Sequence, residues 1–188
     1  VFVAKREGAS WPLIGASELR IVDPEALTDR APGTAGELLV RGPEMFRGYL
    51  DPELDMSAFI ADGWFRTGDL ATFDGEYLTI VDRLKDVIIR GGENISAQEV
   101  EALLVTHPAI AEAAVVSTPD PVMGERVCAV VIVHNGASVV LDDVRAHLLA
   151  AGLARFKLPE RLEVADQLPR TASGKVQKAA LRVALVAD

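Results

Sequence analysis

One cysteine in 188 residues cannot form an internal disulfide, so a disulfide-stapled secreted scaffold is excluded as the organising principle. That residue, Cys128, sits in a Val-rich stretch, where a small buried hydrophobe in a reducing, cytoplasmic setting is expected rather than a reactive thiol. Three histidines (His107, His134 and His147) are scattered without metal-ligand spacing, and no metal site is expected from them. A basic excess is lacking too. The net charge of −9 argues against non-specific nucleic-acid binding. No apolar run approaches the ~20 residues that a transmembrane helix needs. There is no basic stretch followed by an apolar one at the start, as a signal peptide would show. The first residue is Val1 rather than Met, which leads one to expect a piece of something longer. Internal repeats and low-complexity tracts are also missing.

What is present is ordinary for a globular protein, at 49% hydrophobic and 25% charged residues. The charge is unevenly spread. Residues 1–83 hold 8 basic and 15 acidic side chains, whereas residues 155–188 hold 7 basic and 4 acidic, a balance suited to a phosphate-bearing ligand or to a solvated face. The first part reads as short strands with Gly and Pro punctuation: Glu18 to Asp23, Glu37 to Arg41, and Glu76 to Val81 after an Asp74-Gly75 turn. Between them, Pro52 to Ile60 has a short helical pattern. From about residue 84 the pattern becomes mixed. A helix runs from Ser96 to His107, stopping before Pro108, with Ser96 and Glu99 at capping-box spacing. Strands follow at Glu112 to Ser117 and Arg126 to His134, then a helix from Val140 to Ala151 closed by Gly152. A short strand at Arg161 to Val164 and a helix from Gln177 to Val186 complete the pattern. The expected fold class is α+β, with residues 1–83 a small distorted β-barrel and residues 84–188 a compact α+β domain.

Three segments carry candidate chemistry. Phe65-Arg66-Thr67-Gly68-Asp69 precedes a strand and presents a carboxylate at a turn. Asp82-Arg83-Leu84-Lys85-Asp86 puts dense charge before a short strand (Val87 to Ile89), which Gly91-Gly92 then breaks. Pro169-Arg170-Thr171-Ala172-Ser173-Gly174-Lys175 sets one long cation after small, flexible residues.

Together these segments resemble the adenylate-forming enzymes: acyl-CoA synthetases, luciferases and peptide-synthetase adenylation domains. The resemblance runs from Gly8-Ala9-Ser10-Trp11-Pro12 and Gly36-Glu37-Leu38 through Leu181-Arg182. It implies that Asp69 accepts from the ribose hydroxyls of ATP, with Arg83 at the ribose and phosphate region. It implies that Lys85 is the hinge of a mobile C-terminal domain and that Gly91 and Gly92 line the path of the CoA pantetheine. Lys175 becomes the catalytic residue, neutralising charge on the substrate carboxylate and α-phosphate during adenylation. Leu153-Ala154-Arg155-Phe156-Lys157-Leu158-Pro159 resembles a further family stretch, with Phe for Tyr, whose basic residues either approach the CoA nucleotide or anchor the last strand. Ala97 departs from the family pattern, which has Pro there.

The implied activity is AMP-forming acid–CoA ligation, in which a small-molecule carboxylic acid, ATP and CoA give acyl-CoA, AMP and pyrophosphate. A role in fatty acid metabolism accompanies it. The alternatives are an adenylation domain of a peptide synthetase, a luciferase-like enzyme, or a non-catalytic interaction fragment. The family's phosphate loop and its Mg²⁺-holding glutamate have no match here, so the chain reads as the end of an N-terminal domain plus a whole C-terminal domain. On that reading it is inactive alone and prone to self-association.

Overall fold

The computed structural model describes residues 11–12, 18–43 and 45–186. Gly8 to Ser10, within the first segment of the resemblance, lie outside the described residues. The chain divides between Lys85 and Asp86 into two compact units.

Strand β1 (Trp11–Pro12), β2 (Glu18–Val22) and β3 (Gly36–Arg41) open the first unit. They are followed by α1 (Pro52–Ala58), β4 (Phe59–Ile60), β5 (Trp64–Phe73) and β6 (Tyr77–Arg83). Its strands form an antiparallel half-barrel sheet in the order β1-β6-β5-β3-β2, with β4 added against β5. Register shifts at Glu37/Leu39 and at Leu70/Ala71 interrupt the ladders on both sides of β5, and such irregularities bend and twist a sheet. The core here is small: Ile21, Leu38, Val40, Ala71 and Leu78 gather on one side, Val22, Leu39 and Trp64 on the other. Helix α1 starts well, because Asp51 Oδ1 accepts the Glu53 N–H at 3.0 Å, yet it buries no residue.

The second unit comprises β7 (Ile88–Arg90), β8 (Glu93–Ile95), α2 (Ala97–Leu104) and β9 (Ile110–Asp120). It continues through β10 (Gly124–Val133), α3 (Leu141–Ala150), β11 (Arg161–Val164) and α4 (Lys178–Val186). Strand β10 is central, antiparallel to β9 and parallel to β11. Side chains alternate across the sheet, so β9 and β10 serve two cores at once. Val115, Val127, Ala129 and Val131 pack with Val100, Leu104, Val144 and Leu148 of α2 and α3. Ala114, Val116, Cys128 and Val130 pack with Leu181 of α4 and with Leu168. Burial on both faces explains why β10 reads as a continuous apolar run. The fold class is the expected α+β.

Two local expectations are corrected. Thr67-Gly68-Asp69 does not precede a strand but lies inside the ten-residue β5. The glycine pair after β7 does not simply break a strand, for it is the two-residue loop of the β7–β8 hairpin. Gly91 and Gly92 have φ of +57° and +88°, the primed-turn geometry that matches strand twist and that side-chain-bearing residues resist.

Candidate active site

In the first unit, the β5–β6 ladder sets Asp69 opposite Arg83, and their side chains meet at 2.7 Å. The approach to Asp69 is tightly specified. Thr67 Oγ1 donates to Leu38 O at 2.9 Å across to β3 and accepts the Asp69 N–H at 3.0 Å. Beside it, Arg66 grips the buried Glu37 with Nε (3.1 and 3.0 Å) and Nη2 (2.5 Å), and donates to Pro24 O at 3.0 Å. That carboxylate makes the Arg66 guanidinium hold its proton still more firmly. Gly68, with φ +68°, supplies the turn of backbone between them. Burial pushes the Asp69 carboxyl above its ordinary value, and the Arg83 charge offsets this only in part. A carboxylate held ionised against desolvation gains from further donors, as the two hydroxyls of a diol would provide.

The second unit carries the other candidates. Lys175 is exposed at the end of a loop that hydrogen bonds hold shut. The Thr171 N–H donates to Lys175 O at 2.8 Å, the Gly174 N–H to Thr171 O at 2.9 Å, and the Lys175 N–H to Thr171 Oγ1 at 3.2 Å. Arg170 braces it from outside, donating from Nη1 to Gly174 O at 2.7 Å and pairing with Glu112 of β9. Among the described residues no ion-pair or hydrogen-bond partner is found for the Lys175 ammonium, in contrast to Lys157 and Lys178. A cation on a fixed loop, left without an internal carboxylate, is free to meet an anionic ligand.

The Gly91–Gly92 turn is fixed by the Gly91 N–H, which donates to Met123 O at 2.8 Å. A Cβ on Gly91 would lie 2.5 Å from Met123 Cε, whereas one on Gly92 would meet nothing within 4 Å. Met123 is itself set by Asp120, whose Oδ1 accepts the Met123 N–H at 2.7 Å and the Val122 N–H at 2.9 Å. Those backbone donors, with Arg126 adding to them, hold the Asp120 carboxyl below the usual carboxylate range. The turn therefore offers bare backbone beside exposed Val122. Lys85 sits exposed in the short turn Leu84–Asp86, at the end of the first unit.

The structure thus joins Asp69 to Arg83 within one unit and places Lys175, Gly91 and Gly92 in the other. In the Leu153–Pro159 stretch, Lys157 Nζ meets the Glu99 carboxylate at 2.6 and 2.8 Å, next to the Ser96 cap of α2, which gives this residue a structural engagement. Sequence reasoning passed over Glu37, Arg66 and Arg170 as supports. An acid in an otherwise apolar strand was the available signal for Glu37. Among the described residues, no three His, Cys, Asp or Glu side chains converge to hold a metal ion.

Residues 99–175 match the model of the AMP-binding enzyme C-terminal domain. Triostin synthetase I of Streptomyces triostinicus is 47% identical over 179 residues, which is 94% of this chain and 34% of that protein. The 2-hydroxy-7-methoxy-5-methyl-1-naphthoate–CoA ligase of Streptomyces carzinostaticus is 48% identical over 176 residues, 92% of this chain and 31% of the ligase. The crystal structure of ATP-bound MatB from Rhodopseudomonas palustris superposes with a TM-score of 0.84 at 38% identity, covering 92% of this chain and 35% of that one. The chain spans about a third of the length of the curated relatives it matches. With residues 99–175 matched and its fold shared, the chain belongs to the adenylate-forming enzyme family as a C-terminal portion.

Proposed function

We propose that this chain is the C-terminal portion of an AMP-forming acid–CoA ligase, which joins a carboxylic acid to CoA through an acyl-adenylate. The observation that carries the reading is the Lys175 loop, a cation without an internal partner among the described residues and held by at least four hydrogen bonds. In the first half-reaction a carboxylate oxygen attacks the α-phosphorus of ATP, forming the acyl–phosphate bond as pyrophosphate leaves. Lys175 stabilises the negative charge that gathers on the carboxylate and phosphate oxygens. Asp69 accepts from the ribose hydroxyls, and Arg83, already paired to it, orients toward the same nucleotide. In the second half, the CoA thiol attacks the acyl carbon past the bare backbone of Gly91 and Gly92, and AMP departs. Lys85 is the pivot between the halves. A cytoplasmic location fits the buried thiol of Cys128.

The test is Lys175→Ala in the ligase that carries this chain. Removing one such charge lowers adenylate formation by about 10²–10³-fold. Thioester formation from supplied acyl-adenylate changes little. Equal loss in both halves would point to misfolding and end the assignment. Lys85→Pro, which fixes φ near −65°, is expected to impair the thioester half more than the adenylate half.

A second reading has comparable support, because a synthetase and a CoA ligase match at nearly the same identity. On that reading the acceptor thiol belongs to a carrier protein. Supplying acyl-adenylate with either CoA or a carrier protein separates the two. The 188-residue chain alone is expected to show no ATP turnover. Leu50, Leu54 and Met56, all exposed, promote its self-association, measurable by light scattering.

A further inference from the structure

We propose that Asp86 and Arg182 are positioning residues that tie the hinge turn to the Lys175 loop, an inference resting on the roles just assigned to Lys85 and Lys175. Asp86 immediately follows Lys85 and closes the turn Leu84–Asp86. Its Oδ1 accepts from Arg182 Nη2 at 2.8 Å, with the two side chains 13% and 25% exposed. Arg182 stands on α4, which begins three residues after Lys175.

Little slack separates that helix from the loop. The Gln177 N–H donates to Pro169 O at 2.8 Å, and Val176 bridges Arg170 across the loop's neck. Lys178 Nζ pairs with Glu101 at 2.8 Å, and Glu101 also accepts the Val115 N–H at 2.7 Å. Leu181 and Leu185 seat the inner face of α4, and Arg161 donates to Leu185 O at 3.1 Å. A displacement at Asp86 is therefore passed to a braced helix and on to Lys175 rather than absorbed by a loose segment.

Helix anchoring alone does not call for this pair. Leu181 already holds α4 through apolar burial, and a partly exposed ion pair adds little to stability. What an ion pair adds is a directional contact between two specific points, here the residue after the hinge and the helix behind the catalytic loop.

The experiment uses Asp86→Asn, Arg182→Gln and the exchanged pair Asp86→Arg with Arg182→Asp in the ligase. Adenylate formation and thioester formation from supplied acyl-adenylate are measured separately, per folded molecule. Each single variant is expected to slow adenylation about three- to thirtyfold while changing the thioester half less, and the exchange to recover most of the loss. Amide exchange at residues 171–177 of the 188-residue chain should accelerate in the single variants and recover in the exchange. Loss divided equally between the halves, or no loss, overturns the proposal. Lys175→Ala in the same assay keeps the two readings apart. If it leaves adenylation intact, the role of Lys175 fails. If it abolishes adenylation while the Arg182 variants behave normally, the tether alone fails.

Discussion

In the second unit both faces of β10 are covered. Val127, Ala129 and Val131 meet α2 and α3, while Cys128 and Val130 meet the layer to which α4 belongs. In the first unit the apolar residues form two small groups, and α1 adds nothing to either. Beside so small a core that unit buries two acids, where the second unit buries Asp120 beside a large one. Glu37 is 1% exposed and Asp82 4%, and Glu37 is neutralised by one guanidinium that crosses from β5 to β3. Apolar layers spread stabilisation over many interchangeable contacts, whereas a buried acid concentrates it in one pair that cannot be lost singly. The first arrangement suits a unit that must persist as a rigid body. The second suits a strand whose backbone must be set at one point, beside Thr67, Gly68 and Asp69.

The largest test of this contrast is Glu37→Ala. It leaves Arg66 partly buried without its carboxylate, a loss of about 3–5 kcal/mol. Urea unfolding followed by Trp64 fluorescence for the first unit, and by far-ultraviolet circular dichroism for both, should show the first transition move and the second stay. Leu104→Ala is the mirror experiment. That side chain is fully buried in the larger core, and truncation costs about 2–5 kcal/mol, felt only by the second transition. If either change shifted both transitions together, the units would be one cooperative body and the comparison would fall.

A somewhat smaller effect distinguishes the second unit's core by pH. Burial pushes the Cys128 thiol up to about 11 from its ordinary value of 9.0. The folded state therefore favours the protonated thiol. Its contribution is fully present below pH 9 and is lost as pH rises through about 11, amounting to roughly 2–3 kcal/mol. The stability of the natural chain should fall over that range in the second transition, and Cys128→Ala should lack this component. An identical alkaline profile in the variant would mean that the thiol does not drive the loss.

How much of this was legible in advance depended on whether a signal was local. The helix at Ser96 was readable because its cap is three residues from its partner, and Ser96 Oγ does accept the Glu99 N–H. Helix Leu141–Ala150 and strand β10 announced themselves through Gly152 and an apolar run. The loop that ends at Lys175 was readable because small residues and a glycine lead up to it. Partners distant in sequence were not. Nothing near Glu37 announces Arg66, 29 residues on, and nothing near Asp86 announces Arg182, 96 residues on. The β7–β8 hairpin was missed because Glu93 to Ile95 is too short to show alternation, and only its pairing register (Ile88 with Ile95, Arg90 with Glu93) identifies it.

That hairpin carries the smallest and sharpest prediction. Gly91 and Gly92 both require positive φ, so alanine at either position stores backbone strain of about 1 kcal/mol. Space separates them. Alanine at position 92 enters open surroundings, whereas at position 91 it must displace the Met123 methyl. Met123 is flexible at its tip but fixed at its backbone by Asp120 and by the Gly91 N–H itself. Gly91→Ala should therefore cost up to about 1 kcal/mol more than Gly92→Ala in thermal or urea unfolding of the second transition. Met123→Ala should erase that excess in a double-mutant cycle, because the clash is with one side chain. Equal costs at the two positions would mean that the methionine tip yields freely. Should the thioester half of the reaction then fall in Gly92→Ala by more than its stability loss explains, bare backbone at this turn is needed by the incoming thiol. A rate that merely tracks stability would make the glycine pair a turn and nothing more.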